Sequence, residues 1–99
     1  MNNEYSITLN TTGKLYNYVL YSNSEWEDFY SYSDRIRTRL KTDFTEQIDD
    51  FDSKYWDFLF NSKVFTLHYH SMVGNVEIHT DKSNGTTEFQ ELLKQLGEK

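Results

Sequence analysis

Lys54-Tyr55-Trp56-Asp57-Phe58-Leu59-Phe60-Asn61-Ser62-Lys63-Val64-Phe65-Thr66-Leu67-His68-Tyr69-His70 is the stretch that decides the fold of this chain. Tyr55 to Phe60 and Val64 to His70 alternate bulky apolar residues with polar ones, the period of a β-strand. Asn61-Ser62 between them fits a two-residue hairpin turn. That turn sets Trp56 opposite Leu67 and Phe58 opposite Phe65. A third strand, Asn75 to Thr80, follows a tight turn at Val73-Gly74, which sets Tyr69 opposite Ile78. Trp56, Phe58, Phe65, Leu67, Tyr69, Val76 and Ile78 then form one apolar face. A one-sided antiparallel sheet buries such a face under helices.

The same register assigns the other face. It carries Tyr55, Asp57, Thr66, His68, His70, Glu77, His79 and, at its end, Asp81. All three histidines of the chain fall on it, with His68 opposite His79 and His70 opposite Glu77. Moving the turn by one residue pair changes these partners and keeps the face. Imidazole and carboxylate are ligand types that zinc prefers, so His68, His70, Glu77 and His79 are candidate metal ligands, with zinc the candidate cofactor. Neighbouring imidazoles also resist being charged together, as in a pH-sensitive patch. A solvated sheet face that holds three histidines explains the pattern equally well, and His-x-His matches no closed structural zinc site.

Outward from this core the pattern continues. Ser6 to Leu9 and Leu15 to Tyr21 read as strands around the turn Asn10-Thr11-Thr12-Gly13. Ser24-Glu25-Trp26-Glu27 reads as a capping box with Ser24 at the cap. Trp26, Phe29, Tyr30, Ser33, Ile36, Leu40 and Phe44 follow as a helical stripe, which predicts a helix from about Glu25 to Lys41. Arg35 to Lys41 alternates with period two, but the cap and the longer stripe decide for the helix. Asp43 to Ser53 predicts a short irregular or edge strand and then a polar loop holding Asp49, Asp50 and Asp52. Thr87-Glu88-Phe89-Gln90 reads as a second capping box, and Phe89, Leu92, Leu93 and Leu96 as the stripe of a helix that ends near Gly97. The expected fold is α+β over residues 1–99 as a single domain. Its sheet is mostly antiparallel and four- to five-stranded, with two helices packed on one face.

The 99 residues include no alanine, proline or cysteine, and 17% are aromatic. The core must therefore come from large rings together with Ile, Leu and Val, each ring burying roughly 150–250 Å². Without cysteine no disulfide framework exists, which fits a reducing, cytoplasmic setting. The start, Met1-Asn2-Asn3-Glu4-Tyr5, lacks the charged and apolar runs of a secretion signal, and no apolar stretch approaches the ~20 residues that span a bilayer. The residue usage is that of an AT-rich bacterial or phage genome. A net charge of −6 disfavours binding to nucleic acid and suits a basic protein partner. The bland reading of that charge is solubility alone.

Enzymatic machinery is not expected. Gly13, Gly74, Gly85 and Gly97 stand where turns and helix ends need them, no cysteine nucleophile exists, and no serine lies in a nucleophile elbow. The acidic segment Asp43, Glu46, Asp49, Asp50, Asp52 and Asp57, beside Phe51, Tyr55 and Trp56, reads either as a solvated rim or as a hot spot for a basic partner. The candidate partner-binding residues are Asp49, Asp50, Asp52, Tyr55 and Asp57, with Glu25, Glu27 and Asp28 as a second patch.

At Asp52-Ser53-Lys54-Tyr55-Trp56-Asp57-Phe58, then Leu67-His68-Tyr69 and Gly74, the chain resembles a family of small bacterial proteins of uncharacterised function. The resemblance spans roughly residues 24 to 97. It implies a helix, an antiparallel meander with a Tyr-Trp-x-Phe and a Leu-His-Tyr strand, and a closing helix. In size, acidity and layout the chain is also similar to immunity proteins of bacterial toxin systems, which are non-catalytic inhibitors. That likeness implies an inhibitor of a basic toxin, such as a nuclease. The alternative is a phage-encoded inhibitor that meets a host defence nuclease by imitating nucleic acid. Neither likeness implies catalytic residues.

Overall fold

Six strands and two helices make up the computed structural model, which describes residues 5–98. Met1 to Glu4, read above for a secretion signal, lie outside the described residues. The strands are β1 (Thr8–Leu9), β2 (Leu15–Tyr21), β3 (Phe44–Asp49), β4 (Ser53–Phe60), β5 (Lys63–His70) and β6 (Asn75–Asp81). The helices are α1 (Trp26–Leu40), between β2 and β3, and α2 (Thr87–Gln95), after β6 and a short 3₁₀ turn at Lys82–Asn84. The sheet order is β1-β2-β6-β5-β4-β3 and every pairing is antiparallel. From the end of β2, α1 carries the chain to the far edge, and the meander β3 to β6 returns to pair with β2.

The α+β class stands, but the sheet has six strands rather than four to five. The pairing of Thr8 with Asn17 and of Leu9 with Tyr16 makes β1 a two-residue edge. On the other edge β3 is a full strand. Its residues after Phe44 are all exposed, so it shows little apolar alternation. An edge strand needs a partner on one side only, and charged residues there discourage edge-to-edge association. Asp49 thus closes a strand rather than lying in a loop.

The β4–β5 register is as expected: Trp56 faces Leu67 and Phe58 faces Phe65. Asn61 and Ser62 at the turn adopt φ of 52° and 67°, the left-handed pair that a two-residue hairpin turn requires. The β5–β6 register differs from expectation by one residue pair. Tyr69 faces Val76, His68 faces Glu77, His70 faces Asn75 and Thr66 faces His79. Four residues, Ser71 to Gly74, make this turn, closed by the Gly74 amide donating to the His70 carbonyl at 2.8 Å. A slip of one pair shifts each residue's partner by two positions and leaves the faces unchanged.

Both helices start one residue from their expected caps. Ser24 is held by the sheet: its amide donates to Gly74 O at 2.7 Å and its carbonyl accepts from Tyr69 Oη at 2.9 Å. The cap of α1 therefore falls on Glu25, whose amide donates to Asp28 Oδ2 at 2.9 Å. In α2 the cap is Thr86 instead of Thr87, and no side chain caps it. The buried stripe of α1 is Phe29, Tyr32, Ser33 and Ile36. Tyr32 replaces the expected Tyr30, and Phe44 leaves the helix to open β3. Beyond α2, Gly97 and Glu98 donate to Lys94 O and Leu93 O, both at 3.0 Å, the bond pattern of a Schellman ending. Phe29, Tyr32 and Ile36 of α1 and Phe89, Leu92 and Leu93 of α2 share one core with the predicted apolar face of β4, β5 and β6. No helix among the described residues is long and apolar enough to cross a membrane.

Candidate functional site

Three connections lie side by side at one end of the sheet. The Ser71 amide donates to Asp52 O at 2.8 Å, tying the β5–β6 turn to the β3–β4 turn. The Ser24–Gly74 bond ties the same turn to the start of α1. The two acidic patches read separately from the sequence, Asp49-Asp50-Asp52 and Glu25-Glu27-Asp28, are thereby brought to a common end. The field of the second patch reaches the sheet: the Tyr69 hydroxyl is raised above its ordinary pKa, chiefly by burial and then by Glu25, Asp28 and Glu27.

Within this end the acids differ. Asp49 Oδ1 accepts from Trp56 Nε1 at 2.8 Å and pairs with Lys54 Nζ at 3.0 Å. These contacts, Trp56 first, hold the Asp49 carboxyl below its usual range. Lys54 lies over the rings of Trp26 and Tyr30, at 5.3 and 5.4 Å. Asp52 Oδ2 is 3.6 Å from His70 Nε2. Asp50 projects at the tip beside Phe51, which is 100% exposed. Met72 and Val73, on the adjoining turn, are 84% and 63% exposed. Neither was singled out from the sequence, although two apolar residues inside a tight turn break the usual polar patterning of turns.

Tyr55 and Asp57 do not join this end; they lie on the open face of the sheet. Asp57 Oδ1 accepts from Thr66 Oγ1 at 2.6 Å. Tyr55 stacks on His68, with ring centroids 4.5 Å apart and planes 17° apart.

Beside Tyr55 lies the imidazole cluster. His68, Glu77 and His79 bring one donor atom each within 4.8 Å of one another. His79 Nε2 is 2.8 Å from Glu77 Oε1, and His68 Nδ1 is 4.0 Å from the same oxygen. Glu77 Oε2 accepts from Asn75 Nδ2 at 3.2 Å. The His79 hydrogen bond leads the contacts that keep the Glu77 carboxyl below its ordinary pKa. The fourth predicted ligand, His70, stands apart: its Nδ1 accepts from the Met72 amide at 3.2 Å and it faces Asp52. Burial, followed by the charge of His79, pushes His68 down to about 4. Neither ring nitrogen of His68 has a hydrogen-bond partner among the described residues, and both are buried. The Oδ1 of Asn17, a residue paired with His79 across β2 and β6, is in the same position. Next to the cluster an open concavity of about 550 Å³ has His79, Tyr55, Thr66 and Leu15 in its wall.

Fold and surface define a small α+β protein with a helix-covered sheet, a bare second face and one acidic end. The chain belongs to a family described as a protein of unknown function (DUF3630), whose model matches residues 10–98. No curated protein and no solved structure matches it.

Proposed function

We propose that this chain is a non-catalytic binding protein of the immunity or inhibitor kind, which neutralises a basic partner such as a bacterial toxin nuclease through its acidic end. The observation that carries the reading is Phe51, wholly exposed between Asp50 and Asp52 and neighboured by exposed Met72 and Val73. A ring on a tight turn that stays fully exposed gains nothing from apolar burial on folding. Surrounded by carboxylates, it has the form of an anchor for a pocket in a positively charged surface. The acids would steer the encounter, and Phe51 would hold the complex once the interface is dry. A standard interface takes about 800 Å² from each partner, a modest share of the 6041 Å² surface here. The absence of cysteine suits action in a reducing cytoplasm.

The test places a photo-crosslinking residue at position 51, identifies what it captures in the source cell, and titrates the purified pair. The expected partner is basic, with binding that weakens steeply as salt rises. Phe51→Ala should weaken binding by at least about 30-fold, the scale of a hot-spot anchor. An acidic partner, or an affinity untouched by Phe51→Ala and Asp50→Lys, ends the reading.

A further inference from the structure

We propose that His68, Glu77 and His79 form a binding site for one divalent transition-metal ion, zinc by ligand type, on the bare face of the sheet. The site lies away from the acidic end and rests on different residues, so it stands or falls separately from the inhibitor reading.

Three observations converge. The first is position: His68 and Glu77 are a cross-strand pair of β5 and β6, and His79 is two residues further along β6, on the same face. Their donor atoms already lie within 4.8 Å of one another, while ligands of a tetrahedral zinc ion with bonds of 2.0–2.1 Å are about 3.3 Å apart. Side-chain rotation alone can close that difference, because the backbone spacing is set by the ladder.

The second is surroundings. The side chains of His68, Glu77 and His79 are only 16%, 17% and 20% exposed. Tyr55 stacks on the His68 ring and limits its freedom. A half-buried, oriented set of two imidazoles and a carboxylate differs from histidines waving in solvent.

The third is an unmet demand. A neutral imidazole carries one N–H donor and one lone-pair acceptor. Those of His68 are buried and lack hydrogen-bond partners among the described residues, and such orphaned groups are rare because they are costly. A metal ion takes up the lone pair of one nitrogen. Asn17 Oδ1, equally buried and without a partner among the described residues, is an acceptor that a metal-bound water would satisfy. Three protein ligands leave a position for such a water.

The experiment strips the purified chain with chelator, returns Zn²⁺ alone, and follows binding by calorimetry in competition with a chelating indicator. One Zn²⁺ per chain is expected. His68→Ala, His79→Ala and the near-isosteric Glu77→Gln should each weaken binding by more than about 100-fold, beyond what loss of a hydrogen bond to a ligand costs. His70→Ala, at the acidic end, should leave affinity unchanged. Co²⁺ in place of zinc should give the intense visible bands of a four-coordinate ion. The proposal is overturned by sub-stoichiometric binding, by a weak six-coordinate Co²⁺ spectrum, or by His70→Ala losing as much as His68→Ala. Should an alanine variant fail to fold, Glu77→Gln decides alone: unchanged affinity sinks the site.

Discussion

Phe65 stacks with Phe58 at 6.0 Å and meets Phe60 and Phe89 edge-on at 6.2 and 5.4 Å. With no alanine in the chain, rings of this kind share the burial with Ile, Leu and Val. Phe65→Ala should cost about 3–5 kcal/mol, read as a lower urea midpoint with the slope unchanged. Asp49 tests a single carboxylate. Its folded pKa is depressed by the Trp56 indole N–H and then by Lys54, so it contributes stability above the unfolded value of about 3.9 and loses it as pH falls through the folded value. Asp49→Asn should therefore be less stable than wild type at pH 7, with the gap closing in acid below about pH 4. Equal gaps at both pH values would remove this linkage. From the sequence Asp49 looked like one more solvated loop acid, since its partners come from another strand. Phe51 and Trp56 have the same aromatic character in one dimension, yet one is fully exposed and the other is 7% exposed.

At the scale of elements, the β4–β5 hairpin was legible because both its strands alternate cleanly and its turn is two residues long. Ser62 adopts φ 67°, where a side chain is strained and glycine is not. Ser62→Gly should raise stability by about 0.5–1 kcal/mol in thermal unfolding. Gly97 ends α2 at φ 82°, and an added Cβ would lie 3.1 Å from Arg39 Nη1. That guanidinium end can move, so the penalty of Gly97→Ala is mainly conformational, about 1–2 kcal/mol. The β5–β6 turn was legible in place and not in length, because Met72 and Val73, in its middle, carry no turn signature. The start of α1 moved because tertiary bonds claimed the Ser24 backbone. Of the two edge strands, β3 escaped notice as a full strand because its outward side chains answer to water and not to a core.

Across the whole molecule, acids gathered at one end repel one another. Adding salt should stabilise the isolated chain, since screening acts over about 10 Å at 0.1 M. Asp50→Lys should leave stability within about 0.5 kcal/mol of wild type or raise it, while weakening the proposed complex. Melting curves at low and high salt check the first expectation, and titration with the partner the second. A variant that loses both together would mean Asp50 supports the fold rather than an interface. The end itself could not be read from the chain, because Glu25 to Asp28 and Asp49 to Asp52 are separated by α1 and β3. Two turns stitched by Ser71–Asp52 and Ser24–Gly74 bring them together.

Amino-acid order alone determined the α+β class, the strands β4, β5 and β6, and which side chains face the helices and which the open side. Alternation does this locally, because a pleated strand turns each successive residue to the opposite face. Tertiary structure alone decided that His68 and His79 share Glu77 while His70 turns to Asp52, and that distant acids meet around Phe51. Those choices depend on turn length and on bonds between segments far apart in the chain, and a repeat of two residues holds no record of either.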